Sequence, residues 1–541
     1  MVPPPPLAAR SFKGGDDGEA VSFSGDRKRA FLPQVLIGLN GRAIRTGGAP
    51  ICPPLPFFPI PAEIKTTRRR WFERRNRIVR YLLLLLLSLM ASPLHSSQQE
   101  SEDRLSMLPD DILLQIMYHL NLRTQILSST GLSTRWRHLP SMLTDLIINV
   151  DEFLPRTETL TTDQLKKSMD VYAETTRRLL ASTSQHAIKI LCLSFYLTDP
   201  HLQAIGSAVG SIVEHGDTKL LEFNMMADWH DLDYRLEASV QFGQRFMAFF
   251  GSCPSAFRWL TSLSIENLRF NESDMSSLLD VCDQLRFLSM RSCDCGPQSV
   301  LKIDTPRSQL MELVFDMFIR VELIQVPKLM HVVCDILVFE SPAIVFGHVP
   351  LLHGISLSSM IMNQPPLMLS NWLSNVRSLS TLTLDFKNWV IWIKPEGPKR
   401  LSLIFSKLRD LHLCGIFFSE YNLEWTFYLL EAAPSLKNFF LKVQRHKCAR
   451  VYKVIDDQQR TSLQWKASSD FKHHSLNLLD IEGFEVEYKL MKYIRHVMKL
   501  AEQLKMIRLQ HKEPCDGCDA NGRLGFNSSG SEIDTDLTRE F

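Results

Sequence analysis

The sequence predicts an α/β fold in which a short helical module precedes a long solenoid of alternating strands and helices. Three observations carry that reading. A six-residue frame, apolar at positions one, four and six, returns twelve times between Ile188 and Leu509. Segments with helical spacing of apolar residues lie between the copies. One amphipathic stretch, "LPDDILLQIMYHL" from Leu108, stands well ahead of the first copy.

Composition sets the bounds. A chain of 541 residues with 45% hydrophobic content can bury a large core across more than one structural unit. With 61 basic against 59 acidic residues the net charge is +2, so no global field draws the chain to nucleic acid. The eleven cysteines are odd in number and sit mostly in apolar segments. That pattern suits free thiols in a reducing compartment, the nucleus or the cytoplasm.

Residues 1–95 read as a disordered extension rich in Pro and Arg, holding the basic run "RRRWFERRNRIVR" at 68–80 and then "YLLLLLLSLMA". This apolar run spans eleven residues, whereas crossing a bilayer takes roughly 20, so a membrane anchor is not expected. Met90 reads as the functional start, with the preceding residues an over-extended gene prediction.

In the next stretch Leu108, Ile112, Leu113, Ile116 and Leu120 fall on one helical stripe. Pro109 suits the first helical position, and Asp110 and Asp111 favour the positive end of the helix dipole. A weaker helix is predicted over 123–132, and "RWRHLPSML" adds Trp136 and Leu139. Three short helices in about 45 residues enclose no core of normal size, so something must cover them.

The frame copies begin at 188, 220, 260, 285, 310, 329, 352, 379, 408, 436, 476 and 504, with "LTSLSI", "LRFLSM" and "LRDLHL" as examples. Spacings of 19 to 40 residues, mostly 23 to 29, match the period of leucine-rich repeats. Positions four and six project to one side of a strand, so each copy buries one face and needs neighbours to close its ends. Helical segments between copies are read at Met275, Leu278, Leu279, Cys282 and Leu285, and at Leu423, Phe427 and Leu430. Only Cys293 fills the consensus Asn or Cys position after the frame, which predicts irregular stacking. A doubly wound sheet would need Gly-rich turns after its strands, and the sequence has none.

Around Leu108 the chain resembles the F-box, a three-helix module that docks on the Skp1 subunit of cullin-RING ubiquitin ligases. The resemblance covers 103–148 and rests on "LPDDIL", the stripe to Leu120, and "LSTRWRHLP" at 132–140. It implies a Skp1-like partner contacted by Leu108, Pro109, Ile112, Leu113, Ile116 and Trp136, with the cullin-RING ligase reached through it. At the other end, residues 474–511 carry a strand, "GF", a long amphipathic helix with Leu490, Ile494, Val497, Ala501 and Leu504 on one face, and a last strand. This is similar to the FBD region that closes many plant F-box proteins, here over 470–511. Its physical role would be a capping repeat. Irregular leucine-rich repeats occupy 185–465 between the two, and 512–541 reads as a disordered tail.

No P-loop, G-x-S-x-G or H-E-x-x-H pattern is present. "CDGC" at 515–518 is a lone pair of thiols with only His511 nearby, short of the four ligands zinc wants. His473 and His474 are read as solvated residues of a polar linker. No metal, cofactor or covalent chemistry is expected. The resemblance implies a non-catalytic substrate-recognition adaptor of a Skp1-cullin-F-box ligase acting on an unknown target protein; the alternative is a repeat scaffold that binds a partner without a ligase. Solenoids bind through exposed strand residues, which makes Arg286, Glu312, Ser356, Thr383, Arg409, His412 and Lys437 the target-binding candidates.

Overall fold

The computed structural model describes residues 108–119 and 139–511, except 156–159, 183–187, 215–217, 228–234, 272, 297–298, 317–319, 337–343, 360–366, 388–390, 395, 418–422 and 445–470. The extension, the predicted helix over 123–132, Trp136, "CDGC" and the C-terminal tail lie outside the described residues.

The amphipathic stretch forms α1 (Asp110–His119). The Pro109 carbonyl starts it by accepting from the N–H groups of Ile112 and Leu113, each at 3.1 Å. A 3-10 turn spans Leu139–Met142, and Leu139 and Leu143 close over Leu113 in a small core separate from the main one.

From there strands and covering elements alternate as β1 (Asp145–Asn149), α2 (Thr162–Ser182), β2 (Ile190–Tyr196), α3 (His201–Val213), β3 (Leu220–Met226), α4 (Arg235–Ser252), α5 (Pro254–Arg258) and β4 (Ser262–Glu266). Next come α6 (Asp274–Val281), β5 (Phe287–Arg291), β6 (Val300–Asp304), β7 (Glu312–Asp316), β8 (Arg320–Gln325), β9 (His331–Ile336), β10 (Ile344–His348) and β11 (Gly354–Ser359). The chain continues through α7 (Leu369–Trp372), β12 (Thr381–Asp385), α8 (Pro398–Phe405), β13 (Asp410–Phe417), α9 (Phe427–Ala432), β14 (Asn438–Gln444), β15 (Leu478–Phe484), α10 (Tyr488–Leu500) and β16 (Met506–His511).

All twelve frame copies become strands of a single thirteen-stranded sheet, ordered β1-β2-β3-β4-β5-β7-β9-β11-β12-β13-β14-β15-β16. Neighbours pair in parallel, as the period requires. Positions four and six face inward: Leu263 and Ile265, Leu288 and Met290, Leu382 and Leu384 are all buried, and only on the edge strand β16 is position six, Leu509, exposed, at 37%. The thirteenth strand, β1, comes from "LTDLII" at 143, a copy of the same frame that falls within the predicted helical module, 103–148. The repeats therefore begin at Asp145, forty residues before the predicted boundary at 185, because Leu146 and Ile148 join the same core as Leu191 and Leu193.

Helices cover the sheet at both ends, but not at its centre. Between β5 and β11 the outer layer is a second parallel sheet, ordered β10-β8-β6. Its inward residues Leu301, Ile303, Val321, Leu323, Ile344 and Phe346 share the main core. The expectation of strand and helix in strict alternation is thus corrected for residues 287–359. The free edge of β10 is blunted from the next helical segment: Trp372 Nε1 donates to the Ile344 carbonyl at 2.8 Å, and Asn375 Nδ2 donates to that of Phe346 at 2.7 Å.

The C-terminal strand, helix and strand form in the predicted order, but α10 ends at Leu500, so Ala501 and the half-buried Leu504 lie past the helix. Leu490, Ile494, Val497 and Ala501 are buried. Gly483 of the "GF" pair sits at φ +85, where an added Cβ would lie 2.3 Å from the Val443 carbonyl oxygen, and the strand register shifts there. His473 is corrected from solvated linker to core: it is 2% exposed. Its Nε2 bonds the Ala433 carbonyl at 3.0 Å while Nδ1 accepts from the N–H groups of Ser475 and Leu476. Burial lowers its pKa, consistent with a neutral ring.

Candidate binding surface

The sheet face turned away from the core is built from frame positions three, five and seven, because side chains alternate along each strand. Parallel pairing stacks equal positions of neighbouring copies into rows that run across the strands. The predicted target contacts fall into three groups. Arg286, Arg409 and Lys437 occupy position two and are exposed at the strand entrances. The structure brings Arg409 and Lys437 onto adjacent strands, where the Lys437 N–H donates to the Arg409 carbonyl at 2.8 Å. Arg286 lies several strands away.

Glu312, Ser356 and Thr383 are not exposed, contrary to expectation. Glu312 is 3% and Thr383 is 6% exposed. Small residues on this face are overshadowed by taller neighbours; the His331 ring, for example, lies so close over Gly354 that a Cβ there would meet it at 2.2 Å. His412 is half-buried and stacks on Phe440 with ring centroids 4.1 Å apart. Burial pushes its pKa down to about 4, with Asp410 opposing, so it presents a neutral aromatic face.

A row that the sequence reading passed over lies at position seven, one residue past the frame. It runs Glu266, Arg291, Asp316, Asp335, Ser358, Asp385 on β4, β5, β7, β9, β11 and β12, in continuous register. Asp316 and Asp335 are direct register partners, two like charges one strand apart. Arg291 stands between Glu266 and Asp316. Lys387 crosses from beyond β12 to Asp335, Nζ to Oδ2 3.1 Å, and its own N–H donates to Asp385 Oδ1 at 2.8 Å. The N–H of Ser292 donates to Asp316.

Burial pushes Glu266 up to about 7 and Asp316 up to about 6, beyond what Arg291 offsets, and raises Asp385 as well. These carboxylates are desolvated faster than cations compensate them. Farther along, the charges are matched: Lys442 pairs with Glu482, and Asp480 accepts from Arg508 at 3.0 Å and from Gln510 at 3.1 Å. Appending one residue to the six-residue frame would have disclosed the acid row, since that column reads E, R, D, D, S, D.

The predicted Skp1 contacts divide similarly. Pro109 and Ile112 are exposed, Ile112 at 38%, and Leu108 is half-buried. Leu113 is fully buried under Leu139 and Leu143, so it is a packing residue of its own chain rather than an outward contact. Ile116 lies in α1, but its side chain, like Trp136, is outside the described residues. Among the described residues no group of His, Cys, Asp and Glu could hold a metal ion, and no helix is long and apolar enough to cross a membrane.

A family model described as "At1g61320/AtMIF1, LRR domain" matches residues 250–534, more than half of the chain. A search of the curated proteins finds no match. The matched span takes in every strand from β4 to β16, including the C-terminal strand, helix and strand. A stacked leucine-rich-repeat sheet of this kind is a protein-binding module. The frame, the parallel sheet and the matched span agree: the chain belongs to the At1g61320/AtMIF1 family of leucine-rich-repeat domains.

Proposed function

We propose that this protein is a non-catalytic substrate-recognition adaptor of a Skp1-cullin-F-box ubiquitin ligase, working in the nucleus or cytoplasm. In this reading α1 and the segment after it hold a Skp1-like subunit, and the repeats select the target. The F-box resemblance at 108–140 supports it, as does the FBD-like closing region. The observation that carries it is the outward ridge of Pro109 and Ile112 beside a helix whose inner side is already sealed by Leu139 and Leu143.

Magnitudes limit what this ridge does alone. Burying one aliphatic side chain contributes about 1.5 to 3 kcal/mol, against an association cost of about 4 to 15 kcal/mol. Docking therefore needs further anchors, and Ile116 and Trp136 are the residues the resemblance supplies. Retention of the full chain on an immobilised Skp1-like protein tests the reading. Ile112→Asp should lose retention at least tenfold with an unchanged melting temperature, since Ile112 points outward. Equal retention of the variant and the parent overturns the adaptor.

A second reading is a repeat scaffold without a ligase. It is favoured by Leu143, which belongs both to the small core under α1 and to the first frame copy, so that α1 serves as a cap on the solenoid's first layer. Failure of the parent chain to bind any Skp1-like protein selects this reading.

A further inference from the structure

We infer that the acid row across β4 to β12 is the seat of an extended cationic peptide segment of the partner protein, whose Lys or Arg side chains settle among Asp316, Asp335 and Asp385. The inference rests on the protein-binding reading of the repeat sheet and names the chemistry of what it binds.

Charge is the first support. The row and the lysine that reaches it hold four carboxylates, from Glu266, Asp316, Asp335 and Asp385, against two cations, from Arg291 and Lys387. No such excess exists at β14 to β16, where the acids are paired. Partly buried acids with too few cations are costly, as the raised pKa values of Glu266 and Asp316 show, and a partner's cation repairs this deficit.

A second, independent support is Thr383. It lies on the same face, two residues before Asp385, and its Oγ1 is buried without a hydrogen-bond partner among the described residues. A buried hydroxyl left unsatisfied is costly, and an ammonium or guanidinium N–H arriving beside Asp385 gives it a donor. Lys387 shows that a primary ammonium already fits against Asp335.

Geometry sets the size of the ligand. Six strands at about 4.8 Å separation span roughly 24 Å, the length of about seven extended residues at about 3.3 Å each. An anion or nucleic acid is disfavoured by the sign of the row, and a bare metal ion by the absence of a ligand cluster among the described residues.

The test uses the full chain and a fluorescein-labelled peptide of about seven residues alternating arginine and glycine, with a glutamate counterpart, read by fluorescence anisotropy. The arginine peptide should bind and the glutamate peptide should not, with affinity falling as salt rises. Asp335→Asn and Asp316→Asn should each weaken binding about three- to tenfold, and Arg291→Gln should tighten it about threefold. Melting curves confirm that each variant is folded. Glu482→Gln, whose carboxylate is already paired with Lys442, should bind as the parent does.

Unchanged affinity in both aspartate variants overturns the inference, as does weaker binding by Arg291→Gln or an equal loss in Glu482→Gln. Failure here is separable from failure of the adaptor: Asp335→Asn should keep Skp1 retention, and Ile112→Asp should keep peptide binding.

Discussion

The helix-backed ends of the sheet and its strand-backed centre solve the same problem at different chain cost. A five-residue strand advances about 16 Å, and a helix needs about eleven residues to cover that width, because it rises about 1.5 Å per residue against about 3.3 Å. Copies spaced 19 and 23 residues apart, at 310, 329 and 352, have no room for such a helix and use β8 and β10 instead. Intervals of 27 to 29 residues, from 352 to 436, take α7, α8 and α9, which at four, eight and six residues each cover only part of that width. At 25 residues both solutions occur, α6 before β5 and β6 after it. The core follows suit. Under α4 and α5 the helix and sheet meet through a chain of phenylalanines, Phe195, Phe223, Phe249, Phe257, Phe246 and Phe270, with centroids 5.1 to 6.3 Å apart. The two central sheets meet mostly through Leu, Ile and Val.

The largest effect should come from that phenylalanine chain. Phe257→Ala removes a fully buried ring with edge contacts to Phe223, Phe246, Phe249 and Phe250, and should cost about 3 to 5 kcal/mol. Ile303→Ala, equally buried in the centre, should cost less, about 2 to 4 kcal/mol. Urea unfolding of both variants measures the gap. If Ile303→Ala proves the more damaging, the centre is the better-packed region and the distinction drawn from core composition fails.

Glycines give the next test. In β10 a Cβ on Gly347 would stand 2.4 Å from the Leu323 carbonyl oxygen and 2.7 Å from that of Ile324. Backbone must move to admit it, so Gly347→Ala should destabilise by about 1 to 3 kcal/mol. Gly251, exposed near the end of α4, has nothing within 4 Å of the same position. There Gly251→Ala should stabilise by about 0.5 to 1 kcal/mol through helix propensity. Thermal melts should move in opposite directions; a shared direction would mean that the space around the added Cβ does not decide the sign of the change.

Most of the sheet was legible in the sequence, since a frame with buried positions four and six fixes both period and face. Three things were not. β6, β8 and β10 bury only two apolar residues each in a short run, too little to distinguish from loop. β1 is hard to see because its frame copy starts at Leu143, which packs in the small core under α1, while Leu146 and Ile148 of the same copy join the main core. On the binding face, the sequence pattern predicts exposure for Glu312, Ser356 and Thr383 because they lie between frame positions. Glu312, Ser356 and Thr383 are short or flanked by larger side chains once neighbouring copies stack, a fact that exists only between repeats. Leu113 differs from expectation for a related reason: an amphipathic stripe states that a face is covered, not whether the cover is another protein.

The smallest effect distinguishes the two regions by pH. Glu266 ends the helix-backed β4, and burial raises it from 4.5 to about 7; Asp316 ends the strand-backed β7 and is raised from 3.8 to about 6. In both cases the folded state holds its proton more tightly than the unfolded chain does. The resulting stability is fully present below the unfolded value and is lost as pH rises through the folded one. Between pH 8 and pH 5 the parent should therefore gain stability, and each neutral variant should gain less. Asp316→Asn should remove about 1 kcal/mol of that gain, below the full linkage value because both carboxylates keep some contact with water. Its loss should fall mainly between pH 4 and 6, whereas Glu266→Gln should flatten the curve nearer pH 5 to 7. Urea unfolding at half-unit steps of pH resolves the two windows. If the variants flatten one and the same window, Glu266 and Asp316 titrate as a single coupled unit through Arg291, and the acid row ignores the boundary between the two kinds of backing.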